Sequence, residues 1–284
     1  MKKTYEIVAL TLLIGTQPAI AQEIWVLEGM EMPESVLVDT QRSQLYVSNI
    51  VGHPAETDAN GYLSRISVDG TVIEREWVTG LDAPKGMALV GNELLVADLN
   101  HLHIIDVETG LLTDSLAPDD AVFLNDVTSN ENSAWISDLL TNTIWRYSDG
   151  TLEPWLQSEE LAHPNGLLVD GQRLLVGSWG TGLQEDFSTD EPGALLAVDL
   201  ASKAVSIVVH AVGNIDGIAS VNGIIFVSDW LSGALLEVDE ATKSFVETQR
   251  LPKGLADIAA DDEALYLPLM LDGQVKKQLV AVGK

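Results

Sequence analysis

No cysteine occurs in the 284 residues, which excludes disulfide staples, thiolate metal sites, a cysteine nucleophile and a lipid anchor on an N-terminal cysteine. Basic side chains are scarce as well, with 15 Lys and Arg against 43 Asp and Glu and a formal net charge of −28. A field of that sign repels nucleic acid and anionic membranes, and it draws cations toward any cleft it lines. The same charge also serves plain solubility. The five histidines show no metal-ligand spacing. There is no Gly-x-x-x-x-Gly-Lys-[Ser/Thr] loop and no Gly-x-Ser-x-Gly elbow, so nucleotide hydrolysis and serine hydrolysis lack sequence support.

Long apolar runs are also missing. Ile7 to Ile14 is the nearest approach, and it is too short to span a bilayer. It follows Lys2 and Lys3 and precedes Ala19-Ile20-Ala21, a small-x-small cleavage pattern, so residues 1–21 read as an export signal. The expected product is residues 22–284, periplasmic or secreted and without membrane insertion after cleavage. Losing Lys2, Lys3 and Glu6 leaves the acidic balance essentially unchanged.

What is present is a repeat. Short anchors recur as Pro33-Glu34-Ser35, Pro84-Lys85-Gly86, Leu124-Asn125-Asp126, Pro164-Asn165-Gly166, Ile215-Asp216-Gly217 and Leu255-Ala256-Asp257. Their middle residues are 51, 40, 40, 51 and 40 apart. About ten residues after each anchor comes a β-rich run, such as Leu94 to Asp98 or Leu174 to Ser178, and then an alternating third run closed by turn residues, such as His103 to Gly110. A period near 40 with four strands per unit is the signature of propeller blades, and six anchors predict an all-β, six-bladed propeller. The sixth repeat lacks a fourth strand, whereas Glu23 to Glu28 is strand-like and has no blade of its own. Pairing the two closes the ring.

Both 51-residue periods carry their extra residues between strands two and three, at Val51 to Gly61 and Gly180 to Pro192. Those loops leave the face on which the anchors sit. Blades one and four are opposite in a six-fold ring, so two long polar loops are expected to face each other across the channel mouth.

The first strand of a propeller blade is innermost, so Glu34, Lys85, Asn125, Asn165, Asp216 and Ala256 are expected to converge near the axis. Their carboxylate and amide oxygens are hard ligands, suited to Ca²⁺ foremost and also to Mg²⁺, Mn²⁺ or Zn²⁺. Asn, Asp and Gly at such points also make tight turns. Glu34 fits that second role poorly. Trp179 and Trp230 end second strands on the anchor face, where they either line the pocket or pack between blades. His163 adjoins the fourth anchor as a neighbour of the site or as an ordinary loop residue.

With Glu-Ser at the first anchor, Asn-Asp at the third, Asn-Gly at the fourth and Asp-Gly at the fifth, the chain resembles the gluconolactonase, regucalcin and luciferin-regenerating enzyme family of six-bladed propellers. It is more distantly similar to paraoxonase and strictosidine synthase. The resemblance covers nearly all of residues 22–284. It implies that Glu34, Asn165 and Asp216 bind one divalent metal ion, that Asn125 holds substrate or a water beside it, and that Asp216 is the catalytic base of lactone hydrolysis. Sugar-lactone hydrolases of that family carry an arginine two residues before the third-anchor asparagine. Phe123 stands there instead, which removes a strong donor and offers a ring face to an apolar or ring-shaped ligand. Lys85 and Trp179 complete the expected substrate-binding set with Phe123 and Asn125, although Lys85 also has the option of pointing away from the ion or neutralising a carboxylate. Two functions follow: a metal-dependent hydrolase of a lactone or related cyclic ester, or a non-enzymatic propeller whose metal holds the blades together while the mouth binds a protein or small molecule.

Overall fold

The computed structural model describes residues 22–280; the expected leader lies outside them. Among the described residues six sheets follow one another around a ring, five of them with their main strands paired in sequence order, and they form a six-bladed β-propeller. Among the described residues helix is confined to two 3₁₀ turns, Glu159–Leu161 and Met270–Asp272, and neither is long and apolar enough to cross a membrane.

Burial falls from the axis outward, as the residue types require. Second strands are continuously apolar because both blade faces pack against neighbouring blades; Glu93–Asp98 is buried at every position except the first. Fourth strands form the outer rim and alternate poorly, and Leu111–Leu116 is exposed along nearly its whole length. Apolar clusters fill the gaps between adjacent blades. One of them, around Leu175, Leu195, Ile215 and Val227, joins the fourth blade to the fifth.

The last blade is built from both ends of the described chain. Gln22–Glu28 pairs antiparallel with Gln274–Leu279, from Gln22 opposite Leu279 to Glu28 opposite Gln274. This is the ring closure expected from the incomplete sixth repeat. The innermost strand of this blade shrinks to Ala259–Ala260.

The anchors coincide with a recurring irregularity. In five blades the pairing of inner and second strands slips at the anchor, between Pro33 and Val36, Pro84 and Met87, Leu124 and Val127, Pro164 and Leu167, and Ile215 and Ile218. Two inner-strand residues there oppose one partner residue, which is a β-bulge, and a bulge re-aims side chains while disrupting the ladder. In three blades the opposing residue is a buried serine that replaces the lost ladder bond. Ser48 Oγ accepts from Ser35 N at 3.0 Å, Ser137 Oγ from Asp126 N at 2.9 Å, and Ser228 Oγ from Gly217 N at 2.7 Å. Glycine follows the anchor where blades approach closest. A Cβ on Gly166 would stand 2.4 Å from the Asp216 carbonyl oxygen, and one on Gly217 would stand 2.3 Å from Ile258 N.

Candidate active site at the mouth of the channel

Five of the six anchor residues, Glu34, Lys85, Asn125, Asn165 and Asp216, line one cavity of about 700 Å³ counted out to its opening. The sixth, Ala256, is buried in the apolar cluster alongside. All five are over nine-tenths buried. The bulges account for this convergence, because each turns its first residue out of the ladder and toward the axis.

Within this floor the polar groups are only partly satisfied by one another. Asn165 Nδ2 donates to Asp216 Oδ1 at 2.6 Å. Glu34 Oε2 is buried without a hydrogen-bond partner. Lys85 Nζ donates to the Pro54 carbonyl at 3.1 Å, tying the first insertion loop to the floor, and it lies 5.0 Å from the centre of the Phe123 ring.

Desolvation dominates the electrostatics. Burial raises Glu34 well above the usual carboxylate range, with Lys85 opposing and Asp216 and Asp126 adding to the effect. Burial likewise pushes Asp216 up to about 7, against the hydrogen bond from Asn165 and with help from Asp126. Lys85 is pushed down by burial, while Glu34, Asp98 and Asp216 act in the other direction. One layer further along the channel, burial pushes Asp126 up to about 7 despite the backbone N–H groups of Leu167 and Val127 that it accepts at 2.5 and 2.6 Å. Asp257 in that layer accepts from Ser35 Oγ at 2.5 Å. Buried carboxylates in this number need either protons or cations.

The donor set suits a hard divalent cation. Glu34 brings a buried oxygen with no partner, Asp216 a second carboxylate, and Asn125 and Asn165 carbonyl oxygens that no described donor engages. Among the described residues no three His, Cys, Asp or Glu side chains cluster closely enough to hold a metal. Any ion here therefore depends on the amides to complete its shell.

Above the polar floor stands an apolar collar whose plan is also repetitive. The residue immediately after each second strand is Ile50, Leu99, Leu139, Trp179, Trp230 or Met270, and all six belong to one apolar cluster with Phe123 and Phe187. In five blades the backbone N–H of the collar residue donates to the carbonyl two residues before the anchor, as from Leu139 to Phe123 at 3.0 Å and from Trp179 to His163 at 2.8 Å. Leu139, Trp179, Trp230 and Met270 reach the cavity with Phe123 and Phe187. Trp179 and Trp230 stand 6.3 Å apart between centroids, and Phe123 and Phe187 stand 5.8 Å apart. His163 serves the collar, because its Nδ1–H donates to the Leu139 carbonyl at 2.8 Å.

Both insertions contribute at the opening. Pro54 comes from the first, and Asp186 and Phe187 come from the second, which begins with Gly180 and Thr181 paired to Pro192 and Glu191. Trp179 Nε1 donates to the Phe187 carbonyl at 2.8 Å and holds that loop over the cavity. Lys253, an exposed residue with its Nζ 5.0 Å from the Trp230 ring, completes the lining. Every anticipated site residue thus reaches this cavity. Pro54, Asp186 and Phe187 come from loops expected at the mouth but were not singled out, and Leu139, Lys253 and Met270 were not anticipated.

No protein-family model matches the chain, and no curated protein matches it in sequence. Solved structures do resemble it. A provisionally described gluconolactonase is 16% identical with a TM-score of 0.63, covering 93% of each chain. Virginiamycin B lyase from Staphylococcus aureus is 12% identical with a TM-score of 0.61, covering 90% of this chain and 99% of that one. A chain of a nidogen/laminin complex is 17% identical with a TM-score of 0.61, covering 80% and 84%. At such identities the likeness is one of fold.

Proposed function

We propose that this protein is an exported hydrolase of a lactone or related cyclic ester, dependent on one divalent cation and related to the gluconolactonase, regucalcin and luciferin-regenerating enzyme family. The observation that carries this reading is the orphaned, buried Glu34 Oε2 on the same cavity floor as Asp216, Asn165 and Asn125. Glu34, Asn165 and Asp216 would hold the ion, with Ca²⁺ the best match to an all-oxygen set. When bound, such an ion polarises an ester carbonyl and stabilises the charge that develops on its oxygen. The remaining work falls to the chain itself. Asp216, fixed by Asn165, takes the proton of the attacking water. The Asn125 amide, which no group among the described residues engages, orients the ester. The apolar collar excludes bulk water and strengthens these interactions. Solved structures that share this fold include a provisionally described gluconolactonase and a lyase, which fits an enzymatic propeller.

A non-enzymatic, cation-braced propeller is favoured by one observation: Phe123 stands on the cavity wall where sugar-lactone hydrolases of the resembled family carry an arginine. Metal analysis of the native protein, joined to a lactone panel on the same sample, separates the two readings. Asp216→Ala should abolish turnover and cation binding while the β-sheet circular dichroism is retained. Full activity in that variant or after complete chelation would overturn the hydrolase, and chelation that lowers the melting temperature with a silent panel would favour the rival.

A further inference from the structure

We infer that the substrate is an apolar-substituted cyclic ester, carrying an alkyl chain or an aryl ring, rather than a polyhydroxylated one. This rests on the hydrolase reading for its reaction and on the walls of the cavity for its substituent.

The cavity is polar only at its floor. Between the floor and the opening its wall is Phe123, Leu139, Trp179, Phe187, Trp230 and Met270. None of the first, second or last of these can donate or accept a side-chain hydrogen bond in the ordinary sense. The Trp179 indole N–H is already committed to the Phe187 carbonyl. A sugar ring seated against this collar would bury several hydroxyls with no partner, and each such hydroxyl costs the full desolvation penalty. An alkyl or aryl substituent meets the opposite balance, because each methylene withdrawn from water there improves binding about 4-fold.

Exposed apolar residues also adjoin the lining along the chain. Val122, Leu140 and Leu271 are exposed large apolar residues, and each neighbours along the chain a residue that lines it, namely Phe123, Leu139 and Met270. Polar side-chain groups on the lining are those of Glu34, Lys85, Asn125, Asn165 and Asp216 at the floor, the Trp230 indole N–H in the wall, and Asp186 and Lys253 at the opening. A reacting carbonyl therefore sits at the bottom and an apolar substituent points outward.

The test uses two pairs of probes that differ in the substituent and not in the ring. For turnover, δ-decalactone is compared with D-glucono-δ-lactone. For binding, the non-hydrolysable 2-pentyltetrahydropyran is compared with 1,5-anhydroglucitol by calorimetry. Burial of two methylenes of the pentyl chain gives a preference of about 15-fold for the alkyl member of each pair. Trp230→Ala should lower that ratio at least severalfold, and Trp230→Phe should restore most of it. A merely structural role for Trp230 would change both members of a pair alike. Equal or tighter binding of the anhydroglucitol, or no binding of either probe, overturns the inference. If the alkyl ether binds preferentially and no lactone opens, the collar stands and the hydrolase reading falls. If the sugar lactone opens faster, the hydrolase reading stands and this inference falls.

Discussion

Replacing Asp216 by asparagine should stabilise the cation-free protein, and the size and pH dependence of the gain can be worked out. Burial lifts Asp216 from 3.8 to about 7. A carboxylate raised in the fold keeps a proton that the unfolded chain releases, so its contribution is fully present below pH 4 and is lost as the pH climbs through 7. The whole shift amounts to about 4 kcal/mol at pH 8. The amide of D216N reproduces the neutral acid, and its oxygen still accepts from Asn165. In a chelator-stripped sample the variant should therefore melt roughly 10 °C above the parent at pH 8. The advantage should shrink to under about half at pH 5 and disappear near pH 3.5. Added Ca²⁺ should raise the melting temperature of the parent and leave D216N unmoved. Thermal denaturation followed by circular dichroism across this pH range supplies the measurement. A variant that melts no higher than the parent at pH 8, or a gain that does not vary with pH, would refute the claim that this carboxylate is held uncomfortably for the sake of a ligand.

Two further substitutions test separate parts of the site. Lys85→Met removes a buried positive charge beside Glu34 and Asp216, so calorimetric Ca²⁺ affinity should rise by about tenfold or more; a fall would mean that Lys85 helps to assemble the ligands. Ser228→Ala deletes a hydroxyl that accepts from Gly217 N at 2.7 Å and donates to the Ala256 carbonyl at 2.9 Å. The two unpaired backbone groups should cost about 1–3 kcal/mol, seen as a lower melting temperature, and an unchanged melt would discount the serine as the lock of the bulge.

The architecture was legible in the sequence because a propeller repeats itself. The anchor spacing, the orphan strand near Glu23 and the two insertions each had a single place to go, and the structure puts them there. The convergence of Glu34, Lys85, Asn125, Asn165 and Asp216 followed from the same period. Other features were not legible, for identifiable reasons. The bulge at each anchor is a matter of strand register, and alternation read one strand at a time does not reveal that two residues will face one. Ser48, Ser137 and Ser228 therefore passed as ordinary strand residues although they hold the bulges in place. The collar did carry a sequence signal. An apolar residue follows every second strand, from Ile50 to Met270, but an apolar residue next to an apolar strand looks like more of the core until its backbone bond to the pre-anchor carbonyl is seen. Lys85 depended on a partner, Pro54, from an insertion whose path the repeat leaves open.

The pairing of Gln22–Glu28 with Gln274–Leu279 makes the first segment of the described chain wait for almost the last. Five blades can collapse as the chain lengthens, each from local hairpins, but the sixth has no outer strand until residues some 250 positions apart find each other. Until then its edge stays open to pairing with a neighbouring molecule. Assembly of the toroid should thus end in one slow, late step, the moment of greatest risk for aggregation, and cyclic relocation of the termini to a loop within one blade should remove that delay.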